Sequence, residues 1–381
     1  MSWTTKVAGL WVLCCLPTNV TPAYPQQNQT SPANQPSAAE AESRRDLSEI
    51  IVVNTVVQLV ASLGDGTIQT IVLEAGTYAF SSQMSCGWAL CIDRSVTIEA
   101  SVPGSVVFDA AGIELGAGVI RISSPMVKLI GVNITGGNVT GDWGGGLYIA
   151  PAGEAKLVEC SILSNIALWG GGVFIGGEAT FINCRIYKNA AHWGGGLAVA
   201  VNSSSSGIPA DAKLYMFNSS IYANIASTCI IPGRCTDFSG WGGGLNIYHA
   251  PATAAPAATL KAVLDSCHIH DNLAMHAGAM YIWNGGGSHF DAKLVGCKVF
   301  NNRGNLSAGG IKNDGGVLTM QTSLLEKNLR GPSDAANEEN LELVGGITTY
   351  VLPAIPGHWV PADMCEIKRE KKRKASPRPS L

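Results

Sequence analysis

Short aliphatic runs, several alternating apolar and polar residues, fill most of this chain. Thr70–Leu73, Val96–Ala100, Val106–Asp109, Val119–Ile122 and Val127–Ile134 are rich in β-branched residues and read as strands. Ser48–Leu63 instead places apolar residues at Ile51, Val52, Val56, Leu59, Val60 and Leu63, the spacing of a short amphipathic helix that Gly64-Asp65-Gly66 ends. From about 127 to 328 the pattern becomes a repeat with two elements. One is an apolar residue, two variable residues and Asn: Ile162–Asn165, Ile186–Asn189, Ile221–Asn224, Ile269–Asn272 and Val299–Asn302. The other is Trp-Gly-Gly-Gly-aliphatic, at Trp143–Leu147, Trp169–Val173, Trp193–Leu197 and Trp241–Leu245, with degenerate copies at His276–Met280 and Ser307–Ile311. Trp143, Trp169 and Trp193 are 26 and 24 residues apart. Such a period marks a solenoid, in which one coil cannot bury its apolar face alone. Each coil reads as a strand ending near the apolar position, a corner at Asn, a Gly-rich turn and a second strand. The Asn column, continued by Asn328, is expected to satisfy corner backbone groups, and the N-terminal helix to cover the first rung.

Composition fits a β-solenoid. Charged residues are 14 % of the chain and 45 of 381 residues are Gly, against about 25 % charged and about 7 % Gly in ordinary domains. The formal net charge of −3 gives no sign of nucleic-acid binding. Residues 1–23, with Lys6 before the apolar Val7–Leu16 and then Thr21-Pro22-Ala23, read as a secretory signal peptide too short to span a membrane. Residues 24–45 read as a disordered linker and 46–350 as the solenoid domain. Residues 351–365 read as an irregular extension and 366–381 as a basic disordered tail. No later window looks transmembrane, so a secreted or extracellular-surface location is expected.

Cysteine usage agrees with an oxidising compartment. Cys86 and Cys91, and Cys229 and Cys235, close short loops as candidate disulfides. Cys160, Cys184, Cys267 and Cys297 share one repeat position five residues before the Asn. In-register stacking places them a rung apart, so they either bond in pairs or form a buried thiol ladder. Cys365 is left over. Three consecutive coils carry longer loops at one corner, Asn202–Ala212, His249–Ala258 and Asn284–Ala292, and a fourth insert spans Ser227–Gly240. Inserts at one repeat position project from one face, often a binding face. Asn202 is the best glycosylation candidate among the sequons.

These repeats resemble the right-handed parallel β-helix superfamily of pectate lyases and related polysaccharide-active enzymes, over about residues 70–350. The expected fold class is therefore all-β, a right-handed parallel β-helix with a short N-terminal capping helix. The paired Gly-Gly-x-aliphatic and aliphatic-x-x-Asn elements are also similar to the repeats of polymorphic outer-membrane adhesins. Those repeats usually carry Phe where this chain has Ile or Val. The stretch from Ile71-Val72-Leu73-Glu74-Ala75-Gly76-Thr77-Tyr78 through Val96-Thr97-Ile98-Glu99-Ala100 is similar to β-helix repeat proteins of unicellular algae.

The lyase resemblance would imply clustered carboxylates for Ca²⁺ and an Arg or Lys base. Here Asp93, Glu99, Asp109, Asp142 and Asp265 fall at different repeat positions. Hydrolysis would need carboxylates converging about 5–9.5 Å apart. Asp211 and Asp291 both precede Ala-Lys-Leu, but one coil separates them, and they read as strand starts. His268 and His270 share a strand face at i, i+2, in a group with His249, His276 and His289; this reads as a surface pair. No catalytic residue, cofactor or metal is assigned. Trp143, Trp169, Trp193 and Trp241 should stack as a column, either a platform for sugar rings or a ladder of rings packed on one another. The sequence thus points to a non-catalytic adhesion or polysaccharide-binding protein, its partner a polysaccharide or cell-surface glycan. A lyase or hydrolase is the alternative, and a structural wall or coat component a third reading.

Overall fold

The computed structural model describes residues 49–114, 116–201, 211–227, 239–249, 258–285, 289–331 and 337–351. Residues 1–23, the linker 24–45, Asn202, Cys229, Cys235, Cys365, the tail 366–381 and most of the inserts lie outside the described residues, as does the 351–365 extension apart from Val351.

The described chain is an all-β right-handed parallel β-helix. One coil shows the plan. Glu154–Val158 lies in a first sheet, Ser161–Leu163 in a second, Ile166–Trp169 in a third and Val173–Ile175 in a fourth. Among the described residues these sheets hold 11, 9, 8 and 9 strands. Among the described residues strands pair in parallel, apart from Leu329–Arg330 with Asn337–Glu338 and an isolated antiparallel bridge between Asp314 and Gly345. The third sheet starts only at Asn138–Trp143, so the earlier coils have three sides.

Two corners turn on single left-handed residues. Glu159, Asn183, Asn218 and Ser266 lead from the first sheet to the second, and Ser164, Lys188, Ala223 and Asp271 from the second to the third, at φ between 47° and 56°. Such backbone is disfavoured for residues with a Cβ and persists because stacked coils over-determine it. The Asn that follows the second corner points inward. Asn165, Asn189, Asn224, Asn272 and Asn302 are at most 1 % exposed. Each uses its Oδ1 to accept the backbone N–H and the Nδ2 of the neighbouring Asn along the axis where that neighbour is present, as Asn189 does for Asn165 at 3.0 and 3.1 Å. This is the backbone-satisfying role expected of the column. Inside, aliphatic ladders such as Leu147, Val173, Leu197 and Leu245 fill one continuous core.

Several local expectations change. Each full coil has four strands rather than two, because the short runs around the Ile and Trp positions also pair with their neighbours. Val127–Ile134 is broken into Val127–Ile130 and Val132–Thr135 at Gly131, whose φ of 67° and close approach to Pro103 exclude a side chain. The N-terminal helix, α1, covers only Val56–Gly64, started by the Thr55 hydroxyl that accepts the Gln58 N–H at 3.2 Å. Glu49–Val53 before it is a strand paired with Ile68–Leu73, since its β-branched run gains more from that ladder than from helix. Helix α1 buries Leu59 and Leu63 in the core. The guanidinium of Arg94 donates to the carbonyls of Ser62, Leu63 and Ile68, satisfying the end of α1.

Cys86 and Cys91 are joined by a disulfide. Cys160, Cys184, Cys267 and Cys297 are free and buried, the thiol-ladder arrangement of the two alternatives. Burial pushes the Cys160 thiol well above its ordinary range, so it is inert as a nucleophile.

Candidate functional site: the outer face of the fourth sheet

On the fourth sheet every second residue enters the core. The residue between them faces outward, and in successive coils it is Arg121, Tyr148, Phe174, Ala198, Asn246, Tyr281, Lys312 and Glu342. An outer sheet face is ordinarily polar. Here Tyr148, Ala150, Phe174, Ala198 and Ala200 make a second apolar cluster separate from the core, with Trp88, Trp143, Trp169 and Tyr248 packed against it.

The tryptophans stand at the corner where the third sheet meets the fourth. Trp143, Trp169 and Trp193 are in register, and Trp241 bridges Trp193 to His276. All four are half-buried. Trp169 and Trp193 stack at 4.4 Å, Trp193 and Trp241 at 6.0 Å, and Trp241 and His276 at 5.4 Å. His192 adds a ring 3.8 Å from Trp193. Trp143 stands apart from the stack and lies on Phe174 at 5.3 Å. Rings stacked along the solenoid axis cover one another's faces and turn their edges outward. Along the same face Tyr248 and Trp283 stack at 4.6 Å, and Tyr248 meets Trp169 edge-on at 5.2 Å. At the N-terminal end Arg121 lies 5.9 Å over Trp88.

The other end is polar. The Tyr281 hydroxyl donates to Asp314 at 3.3 Å, and Lys312 pairs with Glu342 at 3.3 Å. Burial, reinforced by Asp314, raises the Tyr281 phenol far above its usual value, and burial raises Tyr148 as well. Both stay protonated, and Tyr281 serves as a hydrogen-bond donor rather than a base.

The other residues named from the sequence do not converge here. Asp109, Asp142 and Asp211 accept the backbone N–H groups of Ala111, Trp143 and Thr259 at 2.8–2.9 Å, which is corner chemistry. Asp211 and Asp291 are not equivalent: Ala212 pairs with Leu260 and Leu260 with Phe290, so the two Ala-Lys-Leu runs are out of register by two residues. His268 and His270 lie on the second sheet. His270 belongs to a stack Tyr187–Tyr222–His270–Phe300, at 4.9, 5.0 and 4.8 Å, and bonds Asp271 at 2.7 Å. Among the described residues no three His, Cys, Asp or Glu side chains group as metal ligands.

The sequence reading missed Tyr148, Phe174, Asn246, Tyr248, Tyr281 and Trp283. Their signal was present in Leu-Tyr-Ile and Val-Phe-Ile, where a half-buried strand would carry a polar middle residue.

His276 carries a pH prediction. Burial, with help from Lys312, depresses its basicity, while Glu342 opposes this more weakly. A depressed folded value means that its contribution to stability is full above the unfolded value of about 6.5 and is lost as pH falls through the folded one. Melting temperature should therefore fall between pH 7.5 and pH 5, and by less in His276→Phe. An identical fall in both proteins would show that other groups cause it.

No protein-family model matches the chain, and no curated protein sequence matches it. Among solved structures, the alginate lyase from Paenibacillus sp. strain FPU-7 is similar at 13 % identity and a TM-score of 0.43, covering 78 % of this chain and 98 % of that one. The pectate lyase Pel9A follows at 12 % and 0.41, covering 77 % and 71 %. The A-module of the Azotobacter vinelandii mannuronan C-5 epimerase gives 10 % and 0.34, covering 79 % and 92 %. At such identities the likeness is one of fold.

Proposed function

We propose that this chain is a secreted or cell-surface protein that binds polysaccharide on the outer face of its fourth sheet without cleaving it. The observation that carries this reading is the aromatic row on this face, half-buried Trp88, Trp143 and Trp169 packed on a second, buried apolar cluster where an outer sheet face is ordinarily polar. Sugar rings offer C–H surfaces rimmed by hydroxyls. Aromatic rings interleaved with Asn246, Tyr281 and Lys312 complement both parts. The Cys86–Cys91 disulfide supports an oxidising location, and among the described residues no helix is long and apolar enough to cross a membrane.

Because the stacked tryptophans present edges, their contribution is a wall rather than a set of flat platforms. Trp169→Ala with Trp193→Ala should abolish retention on an insoluble polysaccharide panel while the far-UV spectrum stays β. Undiminished retention would remove the column from the site. A second reading, a lyase or hydrolase, is favoured by Asp314 and Glu342 lying on this same face beside Tyr281 and Lys312. One assay separates the two: incubation of the protein with soluble and insoluble polysaccharides, scoring bound protein and released reducing or unsaturated ends together. Retention without new ends supports binding; new ends establish catalysis and overturn the non-catalytic reading.

A further inference from the structure

Among the described residues, buried polar side-chain atoms with no protein hydrogen-bond partner gather on this one face. They include Trp88 Nε1, His276 Nδ1 and both amide atoms of Asn246. Elsewhere the fold pairs its buried amides, as the Asn ladder does at 3.1 Å or less between side chains. Asn246 is 1 % exposed. Its place in the column is filled by Ala198 one coil earlier and by Phe174 before that, so packing alone is served by an apolar residue. A buried amide with neither donor nor acceptor satisfied is costly, and such a group in a folded protein asks for a reason.

We infer that Asn246 orients the ligand at this site, and that the ligand is a neutral polysaccharide. This rests on the binding reading above and names its substrate class. An amide presents one carbonyl acceptor and two N–H donors, which match adjacent hydroxyls of a sugar ring. Tyr248, two residues further along the same face, and Trp283 stacked on it supply apolar surface beside the amide. Charge excludes a uronate chain. The Lys312 ammonium is already matched by Glu342, Asp314 adds a further negative charge, and Arg121 lies at the far end over Trp88. Among the described residues, a polyanion would meet more carboxylate than free cation on the fourth-sheet face beyond Asn246. The amide is buried, so the groups over it must move to admit a sugar, and with Trp283 stacked on Tyr248 beside it binding should change tryptophan fluorescence.

The test is affinity electrophoresis of the whole chain in gels containing galactomannan, mixed-linkage β-glucan, xyloglucan, polygalacturonate or alginate. Fluorescence titration with the retarding polysaccharide follows. Asn246→Ala is the main variant because Ala198 shows that alanine fits this column; Asn246→Leu is the second. The expected result is retardation by at least one neutral polymer and by neither uronate. Each variant should lose affinity at least tenfold and lose the fluorescence change, with a melting temperature equal to or above the parent. Equal binding by parent and variants would overturn the role of Asn246 and leave the binding reading standing. Retardation by uronates alone would overturn the neutral class and also leave that reading standing. No retardation of the parent by any polymer, with no ends released, would overturn both.

Discussion

Asn224→Ala is expected to destabilise the β-helix by about 3–5 kcal/mol, at the upper end for a single substitution. Asn224 is fully buried. Its Nδ2 donates to the Ile186 carbonyl and to Asn272 Oδ1, both at 3.0 Å. Its Oδ1 accepts the Asn189 backbone N–H at 3.0 Å and Asn189 Nδ2 at 3.1 Å. Alanine leaves those groups buried without partners, and no water reaches a corner enclosed by stacked coils at low cost. The loss should appear as a lower urea midpoint. It should also appear as faster hydrogen exchange at Asn189 and its neighbours, because a solenoid opens locally where coil-to-coil contacts weaken. Asn224→Asp sharpens the test. A carboxylate there would face the Ile186 carbonyl and Asn272 Oδ1, so its folded pKa must lie above the unfolded value of about 3.9. Its contribution is then fully present below that value and lost as pH rises through the folded one. The aspartate variant should be closest to the parent near pH 4 and fall further behind by pH 7. A mild alanine variant, or an aspartate variant that improves with pH, would mean that the ladder is not what holds this corner.

The elements that recur in sequence were legible because a solenoid writes one structural requirement many times. The Ile-x-x-Asn and Gly-Gly-Gly spacings led to the coil, the Asn ladder and the tryptophan register, all of which depend on identical neighbours one rung away. What stayed hidden depends on unlike neighbours. Glu49–Val53 carries a helix-compatible apolar spacing, and only its partner Ile68–Leu73 makes it a strand. Gly131 looks like one more small residue in an aliphatic run until Pro103 of the preceding coil lies against it. The Ala-Lys-Leu runs after Asp211 and Asp291 look equivalent, yet register counted back from Ser219 and Cys297 separates them by two residues. The candidate site was half visible. Its corner wall is the Trp column, whereas its floor is read only after the alternation of the fourth sheet is known. The unsatisfied state of Asn246 arises from what stands around it and leaves no mark in sequence.

The glycine triplets carry the second large effect, and the three positions are not alike. The first is glycine in four copies but Ala277 and Ala308 in the degenerate ones; the third is glycine in five but Ala279 in one. The middle position is glycine in all six: Gly145, Gly171, Gly195, Gly243, Gly278 and Gly309. Steric closure gives the reason. A Cβ on Gly195 would stand 2.4 Å from the Ile225 carbonyl oxygen and 2.6 Å from that of Gly243, two backbone groups on separate segments that cannot both retreat. On Gly196 it would meet Gly244 O at 2.7 Å and the amide of Asn224, a crowding that the Ala279 coil shows can be absorbed. Gly195→Ala should therefore cost more than about 3 kcal/mol, beyond ordinary overpacking, and reduce soluble folded protein. Gly196→Ala should cost distinctly less. Gly64→Ala, at the end of α1 with nothing within 4 Å, should be neutral or raise stability by about 0.5 kcal/mol through the unfolded chain. Urea midpoints of the three variants test that order. If Gly196→Ala proved the more damaging, the turn would be limited by the Asn ladder rather than by the approach of three backbones. The invariant middle glycine would then need a different cause.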